Sequence, residues 1–519
     1  MEFDLEESTI ADLRSRLEGG ESTAVDLAKS YLERIEEIDR GGIRLGSVIE
    51  VNPDAEEIAG KLDDERREGR VRGPLHGIPI LIKDNLDTAD KMMTTSGSLA
   101  LVGHYAKRDS TVARALRDAG AVIIGKLNQS EWANFRSPHS TSGWSGRGGQ
   151  CRNPYALDRT PWGSSGGSGA AASANLAAAT IGTETDGSIV LPAAANGVVG
   201  IKPTVGLTSR AGVIPISSSQ DTVGPLGRTV ADAAALLSAI VTGADPRDPG
   251  TSGNAGKVGI DYTRFLDAQG LAGARIGVAR KLYFGYSEKA DAVVEEAIRA
   301  MQDLGAEVID PADLPHAEQL TFLGTELTVL HYEFKTLLNA YLSEVGPELP
   351  VHSLADVIAF NEQHAADELK YFGQETMLAA EAKGSLEEPE YRSAVAHNHR
   401  LSRQEGIDAV MDEHRLDALV MPTCTPAWKI DYILGDHIQG MGTSPAAMAG
   451  YPLVSVPAGF VQGMPVGLLF TGRAFSEGTL IRLAFAFEQA TKHRKPPRFL
   501  PEIPEDTPFR HRAAAVQRG

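Results

Sequence analysis

The chain has 519 residues, of which 42% are hydrophobic, and its 69 acidic residues outnumber 50 lysines and arginines, giving a net charge of −19. So acidic a chain would repel nucleic acid and anionic membranes, and we expect neither as a partner. No uninterrupted run of about 18 apolar residues predicts a membrane span. Two cysteines, Cys151 and Cys424, are too few for a disulfide framework or a zinc site and are typical of a cytoplasmic protein.

The first half of the chain predicts alternating helices and strands, as in an α/β fold. In residues 7–40, serines and threonines that can cap helices are followed by apolar residues at helical spacing, which predicts helices. Residues 78–82 form an apolar run that predicts a buried strand, which would deliver a half-buried Lys83 to its carboxyl end, where α/β sheets bind ligands. Residues 109–119 predict a helix, and residues 121–124 predict the strand after it.

Two polar turns rich in serine follow. The first, at 163–167, reads Gly-Ser-Ser-Gly-Gly, and the alanine-rich run at 170–179 predicts a helix that packs closely against a sheet. The second turn, at 183–189, reads Thr-Glu-Thr-Asp-Gly-Ser-Ile. Small side chains leave the backbone open to a ligand, so the two turns predict an active-site platform.

The first turn also matches the G-x-S-x-G nucleophile elbow of α/β-hydrolases, with Ser165 as the nucleophile. That motif requires an apolar strand directly before it, whereas residues 157–162 read Leu-Asp-Arg-Thr-Pro-Trp. An esterase would also need an acid and a histidine downstream, and no histidine lies in an obvious catalytic context. A dinucleotide fingerprint at 167–172 lacks its strand in the same way.

Taken together, these motifs resemble the amidase signature family of serine hydrolases. The supporting strings are Gly-Pro-Leu-His-Gly-Ile-Pro-Ile-Leu-Ile-Lys-Asp-Asn at 73–85, the two serine turns, Gly-Lys-Leu-Asn at 125–128, Gly-Ile-Lys-Pro-Thr at 200–204, Asp-Thr-Val-Gly-Pro at 221–225, Ala-Gly-Tyr-Pro at 449–452 and Gly-Met-Pro-Val-Gly at 463–467. The resemblance implies an α/β fold with a large mixed central sheet flanked by helices. The second turn and Ser-Gly-Trp-Ser at 142–145 are most similar to the peptide amidase branch, which removes C-terminal amide groups from peptides.

We expect a single amidase domain over residues 1–519. Its parts are an N-terminal helical wrap (1–70), the signature core (71–242), a variable and mostly helical region (243–415), the C-terminal part of the core (416–495) and a polar tail (496–519). In the variable region, residues 275–278 predict a strand, residues 287–304 predict a helix, and leucines 320, 323, 327 and 330 predict one apolar stripe. Such segments often shape the substrate pocket, whose residues the sequence does not identify.

Three lysines, Lys83, Lys126 and Lys202, follow short apolar strands, so position alone does not select one as a base. The resemblance implies that Lys83 is the base, that Ser164 is the bridging hydroxyl at a cis peptide bond, and that Ser188 is the nucleophile. Lys126 and Lys202 are then structural. To accept a proton near neutral pH, Lys83 needs a pKa lowered from ~10.4 by roughly 3 units, which burial can supply.

The backbone N–H groups of Thr185, Asp186, Gly187 and Ser188 are the predicted donors to the oxyanion that forms during attack. The usual family string has a glycine where this chain has Asp186, so we expect that carboxylate to point away from the oxyanion. Glu184 and Val190 likewise replace an aspartate and an arginine. These departures argue against the amidotransferase subunit that charges transfer RNA.

No cofactor or metal is predicted. His397 and His399 lie two apart on a predicted helix and therefore face different sides, so they cannot bind one metal ion together.

The expected substrate is a small amide or a peptide amide. An aryl acylamidase, a carbamate hydrolase and a general amide or ester hydrolase are alternatives on the same centre, and a non-catalytic binding protein is an alternative of another class. The oligomeric state stays open.

Overall fold

The computed structural model describes residues 5–254, 256–257 and 259–504. Within this part of the chain the strands are β1 (Val48–Val51), β2 (Pro79–Lys83), β3 (Val122–Leu127), β4 (Trp144–Ser145), β5 (Gly149–Gln150), β6 (Ala179–Glu184), β7 (Val199–Lys202), β8 (Thr222–Gly227), β9 (Arg275–Val278), β10 (Glu307–Ile309), β11 (Ala418–Pro422), β12 (Leu453–Val461) and β13 (Met464–Thr471). Eleven of them form one sheet, in the order β1-β3-β2-β6-β8-β7-β12-β13-β11-β9-β10. Strand β2 runs parallel to β3 and β6, whereas β6 and β8 are antiparallel. The predicted large mixed sheet is confirmed.

Helices flank this sheet. Over the described residues they are α1 (Ile10–Gly19), α2 (Ala24–Arg34), α3 (Ala55–Arg67), α4 (Thr111–Asp118), α5 (Gly166–Ser173), α6 (Val190–Ala195), α7 (Val230–Ile240), α8 (Glu288–Asp303), α9 (Thr325–Leu342), α10 (Leu354–Gln363), α11 (Ala365–Glu368), α12 (Glu375–Glu381), α13 (Pro389–Ser402), α14 (Asp408–His414), α15 (Ser444–Ala449) and α16 (Glu477–Thr491). None of them is both long and apolar enough to cross a membrane.

The N-terminal helices begin where the sequence predicts. Thr9 and Thr23 cap α1 and α2 in capping boxes: each threonine Oγ1 accepts from the backbone N–H of Asp12 or Asp26, and that aspartate's carboxylate accepts from the threonine N–H. The predicted helical wrap is nevertheless not purely helical, because β1 forms the edge of the sheet and pairs with β3. The sequence pattern does not predict this edge strand.

The prediction of one helix over the alanine-rich run at 170–179 is wrong. Helix α5 starts earlier, at Gly166, and ends at Ser173, while Ala179 already begins β6. A Cβ atom at Gly167 would lie 2.2 Å from the carbonyl oxygen of Asn128, so only glycine lets α5 approach this closely. Strand β6 is buried between β2 and β8, and this pairing outweighs the helix propensity of alanine.

The predicted leucine stripe in the variable region is also wrong. Helix α9 begins only at Thr325, so Leu320 and Leu323 precede it. Leu323 is 69% exposed, whereas Leu330 is buried in the core. The strand at β9 and the helix at α8 do follow their predictions.

The described part of the predicted polar tail packs against the domain. The Phe499 amide donates to the Pro154 carbonyl at 2.9 Å, and the Leu157 amide donates to the Leu500 carbonyl at 2.8 Å. Residues 505–519 lie outside the described residues. Cys151 and Cys424 are both buried and free.

Candidate active site

The two serine turns meet at the carboxyl ends of two neighbouring parallel strands. Lys83 ends β2, and β6 beside it ends at Glu184, from which the second turn continues. The Ser165 amide donates to the Ser188 carbonyl at 3.2 Å, and this bond ties the first turn to the second. The sheet therefore brings the predicted lysine and both turns together at one edge.

The Lys83 amine lies among three hydroxyl groups and one more distant carbonyl, that of Thr183 at 3.4 Å. Its Nζ is 2.8 Å from Ser164 Oγ, 3.0 Å from Ser165 Oγ and 3.0 Å from Thr183 Oγ1. The side chain is fully buried, not half-buried as predicted, because every residue of β2 is buried. Burial lowers the pKa of Lys83 from 10.5 to about 7, against the charges of Asp221 and Glu184, which raise it.

The other two lysines have different surroundings. Lys126 Nζ donates to the carbonyls of Leu86 at 2.6 Å and Met93 at 3.3 Å, with one hydroxyl, Thr94 Oγ1, at 3.0 Å. Lys202 Nζ donates to the carbonyls of Tyr451 at 2.7 Å and Pro203 at 3.1 Å. Burial lowers the pKa of both groups, and that of Lys202 to about 8. A carbonyl accepts hydrogen bonds but cannot donate one, so these contacts favour protonated amines. The serine hydroxyls beside Lys83 can do both and therefore suit a neutral amine.

Ser164 and Ser165 are both buried, and Ser165 is bonded to the strand end. The Gly163–Ser164 peptide bond is cis, as the resemblance implies. Ser165 Oγ donates to the Thr183 carbonyl at 2.9 Å and accepts from the Thr183 amide at 3.2 Å. Because Ser165 is 0% exposed and no strand lies directly before its turn, the nucleophile elbow is excluded.

The second turn is fixed by its own residues. Gly187 has φ +80°, and a Cβ atom there would lie 2.2 Å from Leu191 Cδ1, so only glycine fits. Glu184 Oε2 accepts from the amides of Ile189 at 2.7 Å and Val190 at 3.0 Å. The carboxylate that replaces the family aspartate thus binds the start of α6 from inside the turn.

The side chains of Thr185 and Asp186 are also bound. Thr185 Oγ1 donates to Asp221 Oδ1 at 2.5 Å, and Asp186 Oδ2 accepts from Ser444 Oγ at 2.6 Å. The Asp186 carboxylate is therefore turned toward the start of α15. This orientation is the one that the sequence requires of an aspartate if the turn is to bind an oxyanion.

A cavity of about 90 Å³ lies against Ser188, Thr185 and Asp186. Its other walls come largely from apolar side chains that no sequence motif marks as pocket residues, namely Ala133, Phe135, Trp162, Leu191, Ile216, Phe322, Leu330, Ile438 and Met441. Phe322 and Leu330 belong to the variable region, which the resemblance implies as a shaper of the pocket. Most of the others lie in loops without a periodic pattern, so sequence periodicity carries no signal for them.

A larger cavity, of about 970 Å³, lies elsewhere, between the loop at 104–108 and the end of α9. Asp221 lines it, but Lys83, Ser164 and Ser188 do not. Size alone would select this groove, yet the predicted nucleophile, Ser188, lines the smaller cavity. Over the described residues there is also no group of three or more His, Cys, Asp or Glu side chains that could hold a metal ion.

Comparisons with known proteins identify the family. The family model Amidase matches residues 26–481. A protein of Arabidopsis thaliana named "Probable amidase" is 44% identical over 507 residues, which cover 96% of this chain and 93% of that protein. A putative amidase of Schizosaccharomyces pombe is 37% identical, over 97% of this chain and 88% of its own length. The native peptide amidase from Stenotrophomonas maltophilia is 51% identical with a TM-score of 0.90, over 95% of this chain and 99% of that structure. The chain therefore belongs to the amidase signature family and is an amidohydrolase.

Proposed function

We propose that this chain hydrolyses the C–N bond of linear carboxamides through an acyl-enzyme at Ser188, with Ser164 and Lys83 as the proton relay. The contact between Lys83 Nζ and Ser164 Oγ, at 2.8 Å, carries the proposal. A buried lysine with a pKa of about 7 is neutral in a large fraction of molecules at neutral pH, and only the neutral amine can accept a proton.

The relay operates in two halves. Ser188 Oγ attacks the amide carbonyl carbon as its proton passes to Ser164 Oγ and the Ser164 proton passes to Lys83 Nζ. The amides of Thr185, Asp186, Gly187 and Ser188 receive the negative oxygen of the tetrahedral intermediate. The proton then returns through Ser164 to the leaving nitrogen, the C–N bond breaks, and a water molecule hydrolyses the ester by the same relay.

We assign C-terminal amides of peptides as the substrate class. The 51% identity to a peptide amidase supports this assignment, and so do the apolar cavity walls. Phe322 and Ile438 are large apolar side chains that are both exposed and in the cavity lining, so they form an apolar mouth. This apolar mouth favours substrates with uncharged, hydrophobic side chains next to the amide. We further propose that the enzyme needs no cofactor, binds neither nucleic acid nor membranes, and acts in the cytoplasm.

The test is a panel of peptide amides, anilides, carbamates and esters, with mass detection of the acylated peptide that contains Ser188. We expect the highest kcat/KM on peptide amides, an adduct on Ser188, and no effect of EDTA. Faster turnover of anilides or carbamates would move the substrate to those classes. An adduct on Ser165, or activity lost to EDTA and restored by zinc, would contradict the mechanism.

A further inference from the structure

Two buried carboxyl groups meet beside the second serine turn. Glu326, the second residue of α9, is 0% exposed, and its carboxyl group contacts that of Asp186. Asp186 Oδ2 accepts from Ser444 Oγ at 2.6 Å, and Glu326 Oε1 accepts from Gln220 Nε2 at 2.7 Å. The remaining oxygens, Asp186 Oδ1 and Glu326 Oε2, are buried without a hydrogen-bond partner among the described residues.

One proton would satisfy both oxygens. Two ionised carboxylates in contact repel each other strongly in a buried site, so one of them stays protonated. An acid proton on Glu326 Oε2 makes that oxygen a donor to Asp186 Oδ1. The hydroxyl of Thr443 also lies beside Asp186 without a partner among the described residues, but a bond from it would leave Glu326 Oε2 unsatisfied and both carboxylates charged.

The surroundings decide which residue holds the proton. Burial and the charge of Asp186 raise the pKa of Glu326 well above its usual range. Burial also raises the pKa of Asp186, but its contacts with Ser444, Thr443 and Glu326 and the charge of Lys202 lower it. Two further groups face Asp186. Glu184 and Asp186 repel each other, and Tyr283 has a pKa raised by burial, so it stays neutral. The helix dipole at the start of α9 favours the ionised form of Glu326, but it lowers the pKa less than full burial raises it.

We infer that Glu326 is a positioning residue, whose carboxylic acid donates a hydrogen bond to Asp186 and holds that carboxylate away from the developing oxyanion. The inference rests on the proposed function, because it takes the backbone amides of this turn as the oxyanion donors. Gln220 links Glu326 to the turn a second time, because its Nε2, which donates to Glu326, also lies 3.4 Å from the Thr185 carbonyl. Loss of the Glu326 proton at alkaline pH would add a second negative charge beside the turn and release Asp186.

The first experiment measures kcat/KM against pH for the wild type, Glu326→Gln and Glu333→Gln. The wild type should lose activity at alkaline pH as Glu326 ionises. In Glu326→Gln the side-chain amide donates to Asp186 but cannot ionise, so the alkaline fall should disappear while the acidic rise stays. Glu333 is the matched control, a buried glutamate on the same helix that accepts from Tyr391 at 2.6 Å and from the hydroxyls of Ser217 and Ser219. A glutamine there can still accept these bonds, so its variant should keep the alkaline fall.

A second pair of variants tests the donor itself. Glu326→Leu removes it, so kcat at neutral pH should fall about tenfold or more with a smaller change in KM. Asp186→Asn combined with Glu326→Leu removes the charge that needed the donor, so it should recover most of that loss. Failure of this recovery, or an unchanged alkaline fall in Glu326→Gln, would overturn the inference.

An infrared difference spectrum gives a readout that does not depend on activity. Wild type minus Glu326→Gln at neutral pH should show the C=O band of a protonated carboxylic acid, and absence of that band would refute the shared proton. This measurement also separates the two proposals. Full activity in Ser188→Ala would defeat the proposed mechanism while leaving the band in place, whereas a missing band with an inactive Ser188→Ala would defeat only the role of Glu326.

Discussion

The amide of Ser165 donates to the carbonyl of Ser188 at 3.2 Å, so the backbone that follows the bridging serine is bonded directly to the proposed nucleophile's own peptide unit. The two residues are separated in sequence by α5 and β6, and both lie at the end of the sheet where Lys83 emerges. A shift of either turn would therefore displace the other. The relay depends on backbone packing as much as on its three side chains.

Ser188→Ala should abolish turnover without unfolding the protein, because removal of one hydroxyl leaves almost no cavity. A phosphonyl fluoride probe should label the wild type on Ser188 and leave this variant unlabelled. Ser165→Ala should still take the label, since Ser165 is fully buried and bonded to Thr183. Labelling of Ser165 with Ser188 spared would show that the nucleophile is misassigned.

Gly187→Ala should lose activity and stability together. The residue has φ +80° and its Cβ would meet Leu191 at 2.2 Å, so the turn that holds the oxyanion donors must move. Gly463→Ala is the matched control, because Gly463 has φ +83° but nothing within 4 Å of its Cβ position. We expect the control to cost about 1–2 kcal/mol of unfolding free energy and to keep its kcat. Equal kcat in both variants would show that the turn is not part of the site.

Glu184→Ala should weaken both the turn and catalysis, since the amides of Ile189 and Val190 lose their acceptor. Each unpaired buried amide costs about 1–3 kcal/mol. Glu477→Ala provides the comparison. Glu477 is also buried and accepts from the Thr204 amide at 2.7 Å, at a place outside the cavity. Denaturant unfolding should show a loss of stability in both variants, and kinetics should show a loss of kcat only in Glu184→Ala.

Sequence reasoning succeeded where apolar runs alternate with polar turns, as at β2 and β9, and where a capping residue marks a helix start. It failed at β6, because alanine, glycine and threonine have no strong strand preference and only the pairing with β2 and β8 makes the segment extended. The motif strings identify Lys83 and Ser164, but only the structure shows that the hydroxyls of Ser165 and Thr183 also lie 3.0 Å from Lys83 Nζ. The contact between Asp186 and Glu326 joins a turn to a distant helix in the variable region, and no local pattern predicts it.

Catalysis should depend on pH through Lys83. At limiting substrate, kcat/KM should rise as pH increases through about 7, because Lys83 loses its proton there and can then accept one from Ser164. Lys83→Ala should lower kcat/KM at neutral pH by several orders of magnitude, about as much as loss of a catalytic base in other serine hydrolases.

The same lysine should affect stability, and the sign follows from its pKa. The folded state releases the Lys83 proton near pH 7, whereas the unfolded chain keeps it up to about 10.5. The unfolded state therefore binds more protons in this window, so the contribution of Lys83 makes stability rise with pH between these values. Thermal unfolding of Lys83→Met should show a smaller rise of stability with pH than the wild type.

His76→Gln is the control for the pH dependence of catalysis. His76 Nε2 contacts the Leu62 carbonyl at 2.9 Å and does not line the cavity, so the acidic limb of the kcat/KM profile should stay in place in this variant. An acidic limb that moved with His76 and persisted without Lys83 would require a histidine base.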